Sequence, residues 1–225
     1  MIKPSLSPSI RTSFTSPQGQ VGRIVKRSGD IFFSFLVLFI GFPFLMLIAL
    51  LVKLSSPGPI FYIQERIGRD YKSFGCIKFR TMKRNADDLL SDILANSTSM
   101  RKEFELDFKL RKDPRITPIG RFLRRSSLDE LPQLINVIRG EMSIVGPRPI
   151  VEKELPRYGE YMKEVLSVKP GLTGLWQVSG RNNLSYEKRV ELDIYYVRYG
   201  SFLLDVAIII KTFGVLLLPM DRGAF

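Results

Sequence analysis

Hydrophobic and polar positions divide this chain into stretches of very different texture. Residues Ile31 to Val52 run without a charged side chain and predict one long apolar helix. Ser55-Ser-Pro-Gly-Pro59 ends it, because proline and glycine cannot continue a helix comfortably. Ile60 to Ile63 and Cys76 to Phe79 are short and strand-like, with Arg66 to Lys72 between them as a hairpin loop. Residues 83–112 are polar and charge-alternating, with Leu, Ile and Phe at helical intervals, and predict two surface helices inserted in the fold. A helix carrying Leu134, Ile135, Val137 and Ile138 should stop at Gly140. Met142 to Val145 is a short apolar run leading into the rigid turn Gly146-Pro-Arg-Pro149, and the Gly/Pro punctuation from Lys169 to Gly180 marks a further ordered loop. A helix follows at about Tyr186 to Tyr199. Phe202 to Leu218 is apolar but carries Asp205 and Lys211, so it reads as an interfacial or packing helix. The sum is an α+β fold, mainly helical, with a small β-hairpin or sheet in one domain over 55–225, preceded by a long apolar helix over 21–54. Residues 1–20, rich in Ser, Pro and Thr, read as a disordered leader.

As a straight helix the apolar run would measure roughly 33 Å at about 1.5 Å per residue, enough for a hydrocarbon core of about 30 Å. Pro43 lies near its middle, two residues after Gly41, and should break or kink it. Arg23, Lys26 and Arg27 precede the run, and Lys53, Arg66, Arg69 and Lys72 follow it. The positive-inside rule places both flanks in the cytoplasm. A helix that enters, bends at Pro43 and leaves on the same face satisfies that rule, whereas a straight span does not.

Composition narrows the chemistry. The net charge is +12 and 45% of residues are hydrophobic, a mixture suited to an anionic membrane surface or to phosphate-rich ligands. It suits a nucleic-acid binder equally well, but no helix-turn-helix, zinc-finger or RNP pattern occurs. Histidine is absent, which excludes a serine-histidine triad and any His-ligated metal. The single cysteine, Cys76, excludes an internal disulfide and a multi-cysteine metal site. Carboxylates, arginines, lysines and hydroxyls remain, and with them a hard ion such as Mg²⁺.

One carboxylate pair stands out. Ser127-Leu-Asp129-Glu130 fits the capping-box pattern S-x-x-E, in which Glu130 would return to the cap. Pro132 points the other way, because proline favours the first helical position and would leave Asp129 and Glu130 just before the helix N-terminus. Arg121, Arg124 and Arg125 precede them. Such a place binds phosphate, and it would hold an aspartate ionised and able to attack one. Local sequence leaves both readings open.

The order of motifs goes further. Lys78-Phe-Arg-Thr-Met82, Asp113-Pro-Arg-Ile-Thr117, Gly120-Arg-Phe-Leu-Arg124, Ser127-Leu-Asp-Glu-Leu-Pro-Gln133, Gly140-Glu-Met-Ser143, Gly146-Pro-Arg-Pro149, Lys169-Pro-Gly-Leu-Thr-Gly174 and Ser179-Gly-Arg-Asn182 follow one another in the chain. Together they resemble the bacterial sugar transferases, the monotopic phosphoglycosyl transferases, from about Gly22 to the C-terminus. The resemblance implies that Asp129 is the nucleophile and that Glu130 helps it bind Mg²⁺ or orients phosphate. It implies that Arg148 and Arg124 clamp phosphate oxygens and that Lys78 is a further phosphate contact. Arg181 and Asp193 match polar positions of the nucleotide pocket or its support. Lys26-Arg-Ser-Gly-Asp30 matches the family's start of a re-entrant helix, although Phe42 stands before Pro43 where Ser is common. The implied reaction passes a sugar phosphate from a UDP-sugar to polyprenyl (undecaprenyl) phosphate through an aspartyl adduct, releasing UMP, at the cytoplasmic face of the bacterial inner membrane. The segment Leu175 to Asn182 looks more like members using UDP-galactose or UDP-glucose. The expected partners are therefore the two substrates and the lipid bilayer, with no nucleic acid, and a homodimer is left open. Larger members carry a bundle of spanning helices at the N-terminus; this sequence is expected to hold the catalytic unit alone.

Plainer readings accompany several of these residues. Lys78 and Arg80 alternate along a strand and could form a solvated face. Trp176, Tyr195, Tyr196 and Tyr199 read as packing or interface residues, and Cys76 as a small buried one. The rival to an enzyme is a basic membrane-associated scaffold, which leaves Asp129-Glu130 and Pro147-Arg-Pro149 unexplained. A multi-span transferase is disfavoured by the single long uncharged segment.

Overall fold

A computed structural model describes residues 20–107, 110 and 113–217. Nearly all of the expected leader, and Leu218, lie outside the described residues. Helix α1 (Gln20–Ser55) is followed by strands β1 (Phe61–Ile67) and β2 (Ser73–Phe79). Helices α2 (Ala86–Asn96), α3 (Thr98–Asp107), α4 (Pro118–Ser126) and α5 (Gln133–Arg139) come next. Then come strand β3 (Ser143–Val145), helix α6 (Met162–Val165), strand β4 (Gly171–Thr173) and helices α7 (Leu175–Ser179), α8 (Tyr186–Tyr199) and α9 (Phe202–Leu217). The mainly helical α+β expectation holds, and α2, α3, α8 and α9 fall where periodicity placed them.

The hairpin is antiparallel, with Phe61 opposite Phe79 and Ile67 opposite Ser73. It is longer than the sequence suggested: Arg66 and Ile67 belong to β1, and the turn is confined to Gly68–Lys72, with Asp70 and Tyr71 at positive φ. Cross-strand pairing extended the strand through charged residues that break hydrophobic alternation. The stretch Lys169 to Gly180 is likewise more than a loop. It contains β4, which pairs in parallel with β3 (Ser143 opposite Gly171, Val145 opposite Thr173), and the short helix α7. Gly146 and Gly171 face each other so closely that a β-carbon on either would collide with the other's backbone.

The anticipated break at Pro43 does not interrupt the secondary structure, because α1 is helical on both sides of it. Proline removes one N–H, while the surrounding apolar residues offer the chain no competing partner. The helix is long and apolar enough to cross a membrane, and little of it is buried. What is buried lies on either side of an exposed stretch at residues 39–44. Phe33, Val37 and Leu38 pack on a core built from Phe74, Cys76, Leu134, Val137, Met142 and Tyr196. Ile48, Ala49 and Val52 join Phe79 and Leu123 in another. Between these arms Phe39 and Ile40 are 71% and 70% exposed. A further cluster gathers Ile150, Tyr158, Val165, Leu166, Val190 and Ile194 under the turn that follows β3.

The N-terminal arm is also fixed by polar bonds. Arg27 donates to the terminal α5 carbonyls of Val137 (2.6 Å) and Ile138 (2.9 Å), the partly negative end of that helix. Asp30 accepts from Ser143 Oγ and the Ile144 amide, and Lys26 pairs with Asp205 of α9 at 2.7 Å. The charge in α9 is thereby explained: Asp205 is buried between Lys26 and the Tyr196 hydroxyl, 2.7 Å away. At the other arm Arg80, buried rather than solvated, donates to the carbonyls of Ser56 and Pro57, where α1 ends.

Candidate active site

Three local devices place the carboxylate pair. Thr117 caps α4 by accepting from the Gly120 amide, with Pro118 at its first turn. Ser127 closes α4 in the left-handed conformation (φ 56°, ψ 16°), and Leu128–Glu130 forms one 3₁₀ turn before Pro132 leads into α5. The capping-box reading fails: no side-chain cap bond is made at Ser127, and Glu130 reaches elsewhere. Asp129 and Glu130 thus stand just ahead of α5, as Pro132 implied.

The tertiary contacts then aim the pair. Buried Asn136 of α5 accepts from the Ile77 amide (3.0 Å) and donates to Gly75 O (2.8 Å), locking α5 on β2. That bond brings Lys78 of β2 to Glu130, Nζ to Oε1 at 2.7 Å. Burial alone would raise the Glu130 pKa. The charge and hydrogen bond of Lys78, with Arg148 and Arg66, more than reverse this and hold it below its ordinary value. Asp129 behaves oppositely. Burial and the neighbouring Glu130 charge push it up to about 6, against the pull of Lys78 and Arg124. One carboxylate is kept ionised and the other is poised near neutrality, the pattern of a site that divides roles between acids.

Arg124 of α4 faces this pair and donates Nε to Thr81 Oγ1 at 2.9 Å. Behind it Arg115 makes a buried bidentate pair with Asp113, 2.7 Å at its shorter contact. A small cleft is lined by Arg66, Cys76, Lys78, Glu130, Gln133 and Arg148, with Pro149, Gly171, Leu172 and Gln177. Arg148 projects from the Pro147-Arg-Pro149 turn over Trp176, 5.9 Å from the ring centre. Arg181, at φ 53°, lies within the field of Glu130. Lys78, Arg124, Arg148 and Arg181 thus lie around the Asp129-Glu130 pair.

Asp193 is 1% exposed and is not among the residues that line the cleft, a place that fits the support of the pocket. It accepts from the Tyr158 hydroxyl at 3.2 Å, and its Oδ1 has no well-formed hydrogen bond although the Arg148 backbone amide influences it. Burial pushes its carboxyl up to about 8, against the Tyr158 and Arg148 contributions. Trp176 is buried, as its packing role requires, and Cys76 is fully buried with its thiol pushed up by desolvation. Arg66 is the residue that local reasoning missed. It is 7% exposed, donates to Pro149 O (3.0 Å) and Gln64 Oε1 (2.7 Å), and leaves its Nε without a partner. The one sequence signal for it was its place in the basic group after the apolar run.

Known proteins resemble this chain over most of its length. The family described as Bacterial sugar transferase matches residues 21–219. The chain is 50% identical, over 87% of its length, to the undecaprenyl-phosphate galactose phosphotransferase of Salmonella typhimurium. It is 40% identical, over 88%, to the UDP-glucose:undecaprenyl-phosphate glucose-1-phosphate transferase of Escherichia coli. In both cases the match spans only 41% of the relative's length. The exopolysaccharide production protein ExoY of Sinorhizobium fredii is 45% identical over 98% of this chain and 99% of its own. With Asp129-Glu130 and its basic surround in place, the family match decides the matter: the chain belongs to the bacterial sugar transferases.

Proposed function

We propose that this protein is a phosphoglycosyl transferase that moves a hexose 1-phosphate from a UDP-sugar to undecaprenyl phosphate, the first membrane step in building an exopolysaccharide, O-antigen or similar glycoconjugate. The observation that carries the reading is Asp129, a desolvated carboxylate with raised proton affinity beside an ionised Glu130 and facing Arg124. The names of the Salmonella and Escherichia relatives support both the UDP-sugar and the lipid acceptor, with galactose or glucose as the sugar.

In the first step an Asp129 carboxylate oxygen bonds to the phosphorus that bears the sugar. The bond from that phosphorus to the bridging diphosphate oxygen breaks, and its electrons leave with UMP. A phosphate oxygen of the polyprenyl phosphate then attacks the same phosphorus and displaces Asp129, which returns to a free carboxylate. Splitting the transfer in two suits a nucleophile held in place. Lys78, Arg124 and Arg148 spread positive charge over the phosphate oxygens as it shifts between them, and Arg181 extends that charge towards the nucleotide.

Mg²⁺ belongs to the proposal. Asp129 and Glu130 are hard oxygen donors, and Mg²⁺ commonly takes one or two carboxylates together with substrate phosphate. No cluster of three acidic, Cys or His groups occurs among the described residues, so substrate oxygens and water would complete the set. When bound, the ion would neutralise diphosphate charge.

The same proposal places the protein on the cytoplasmic face of the bacterial inner membrane. A re-entrant α1 is supported by the attachment of both its arms to the catalytic domain, with exposed apolar residues between them. Incubation with a panel of labelled UDP-sugars should give a Mg²⁺-dependent covalent adduct, strongest with the galactose or glucose donor and absent in Asp129→Asn. An undiminished adduct in that variant would remove Asp129 as nucleophile.

A further inference from the structure

We infer that Arg27, Lys169 and Gly140 form a second phosphate-binding site, outside the catalytic cleft, which takes the headgroup phosphate of an anionic membrane lipid. Gly140 ends α5 in the left-handed conformation (φ 85°). A β-carbon there would lie 3.3 Å from an Arg27 guanidinium nitrogen and 3.5 Å from Lys169 Nζ. The glycine therefore leaves open a space that both cations border.

Arg27 is fixed by its two bonds to α5 carbonyls. Lys169 is half-buried, and among the described residues its ammonium has no hydrogen bond or ion pair. Burial first, and then the charges of Arg27 and Arg69, lower its pKa. The one acid near enough to oppose this, Asp30, already accepts from Ser143 and Ile144. Arg69 is paired with Asp70 on the exposed hairpin turn. Arg27 is partly compensated by those carbonyls, but Lys169 has no such partner, and an anion beside it would relieve the repulsion it receives from Arg27 and Arg69.

Depth selects the anion. Arg27 lies one helical turn before Ile31, where the apolar run begins, or about 6 Å outside it at about 1.5 Å per residue. The headgroup layer extends roughly 5–8 Å beyond the hydrocarbon on each side. The pair thus sits at the level of lipid phosphates. This placement rests on α1 being inserted in the membrane.

Thermal unfolding of the full chain in neutral detergent tests the site. Phosphatidylglycerol should raise the wild-type midpoint by several degrees, as a ligand of the native state does. Phosphatidylcholine and inorganic phosphate should not. Lys169→Met should lose most of that shift, Lys169→Arg should keep it, and Lys153→Met, which removes the same charge from an exposed position, should keep it too. Equal losses in Lys169→Met and Lys153→Met would reduce the effect to net charge and overturn the site. An equal shift from inorganic phosphate would overturn the lipid as its ligand. Should Lys169→Met not fold, lipid retained by wild-type protein is weighed by native mass spectrometry: bound phosphatidylglycerol enriched over its share of the membrane supports the site, and bulk composition overturns it. Recovery of the wild type without detergent would instead overturn the membrane reading itself, whereas a detergent-requiring protein with no lipid shift loses only this site.

Discussion

Asp129 carries an energetic burden that Asn would not. Its folded pKa of about 6 lies above the ordinary 3.8, so the folded state holds this proton more tightly than the unfolded chain. The sign follows: stability contributed by this group falls as pH rises from about 4 to about 6, and the penalty is complete above that window. Asp129→Asn should therefore melt higher than wild type at about pH 8, and the advantage should shrink towards pH 4. Adduct formation should move the other way, rising through about pH 6 as the carboxylate ionises and then levelling. A melting difference that is the same at both ends of the range would mean that Asp129 is not desolvated. The pair's place was half legible in the sequence, since Pro132 favoured a helix start after it while the capping-box pattern left the other reading open. Its electrostatics were not, because Lys78 lies 52 residues from Glu130 and the Asn136 bonds and apolar packing of α5 on β2 bring them together. Arg66 was hidden for the same reason: its burial comes from the chain after β3, through Pro149 O.

At the scale of elements, helix α4 holds Arg124 against Asp129 through one close approach. Gly120 lies against the backbone of Thr81, and a β-carbon there would overlap the Thr81 carbonyl oxygen. The same segment is joined by the Thr117 amide to Thr81 O at 3.0 Å and by Arg124 Nε to Thr81 Oγ1. Gly120→Ala forces backbone apart rather than a flexible side chain, which should cost about 1–3 kcal/mol. Denaturant titration should show that loss, and kcat should fall with it because Arg124 moves with α4. Unchanged kcat in a destabilised variant would separate α4 packing from the reaction. The surface helices α2 and α3 were readable from the helical spacing of their apolar residues. The parallel pair β3–β4 was not, since three-residue strands carry too little alternation to register. Its evidence in the sequence was indirect, in the glycines at 146 and 171 that such close backbones require.

For the whole molecule, the question is how one apolar helix is held by a basic domain. A straight α1 would carry its ends to opposite membrane faces, yet Arg27 and Lys26 bind α5 and α9, while the α1 C-terminus is bonded by Arg80 and packed on Phe79 and Leu123. Both attachments are to the same catalytic domain. The proposed topology therefore places both flanks on one face, with the exposed apolar residues from Ile31 to Phe44 in lipid. Cys76 is fully buried, so the native thiol gives little background to a membrane-impermeant label. Cysteines introduced at Arg23 and Arg125, both exposed, should react from the same side of sealed vesicles, and neither should react from the other. Labelling of the two positions from opposite sides would make α1 a simple span. It would also require the Arg27 and Lys26 contacts to be broken in the membrane, because those bonds cannot coexist with an N-terminal arm across the bilayer. A paired measurement with Lys26→Met makes the link explicit: if the polar anchors help to hold the arm at the domain face, removing the Asp205 partner should lower the melting temperature without changing the side from which Arg23→Cys is labelled.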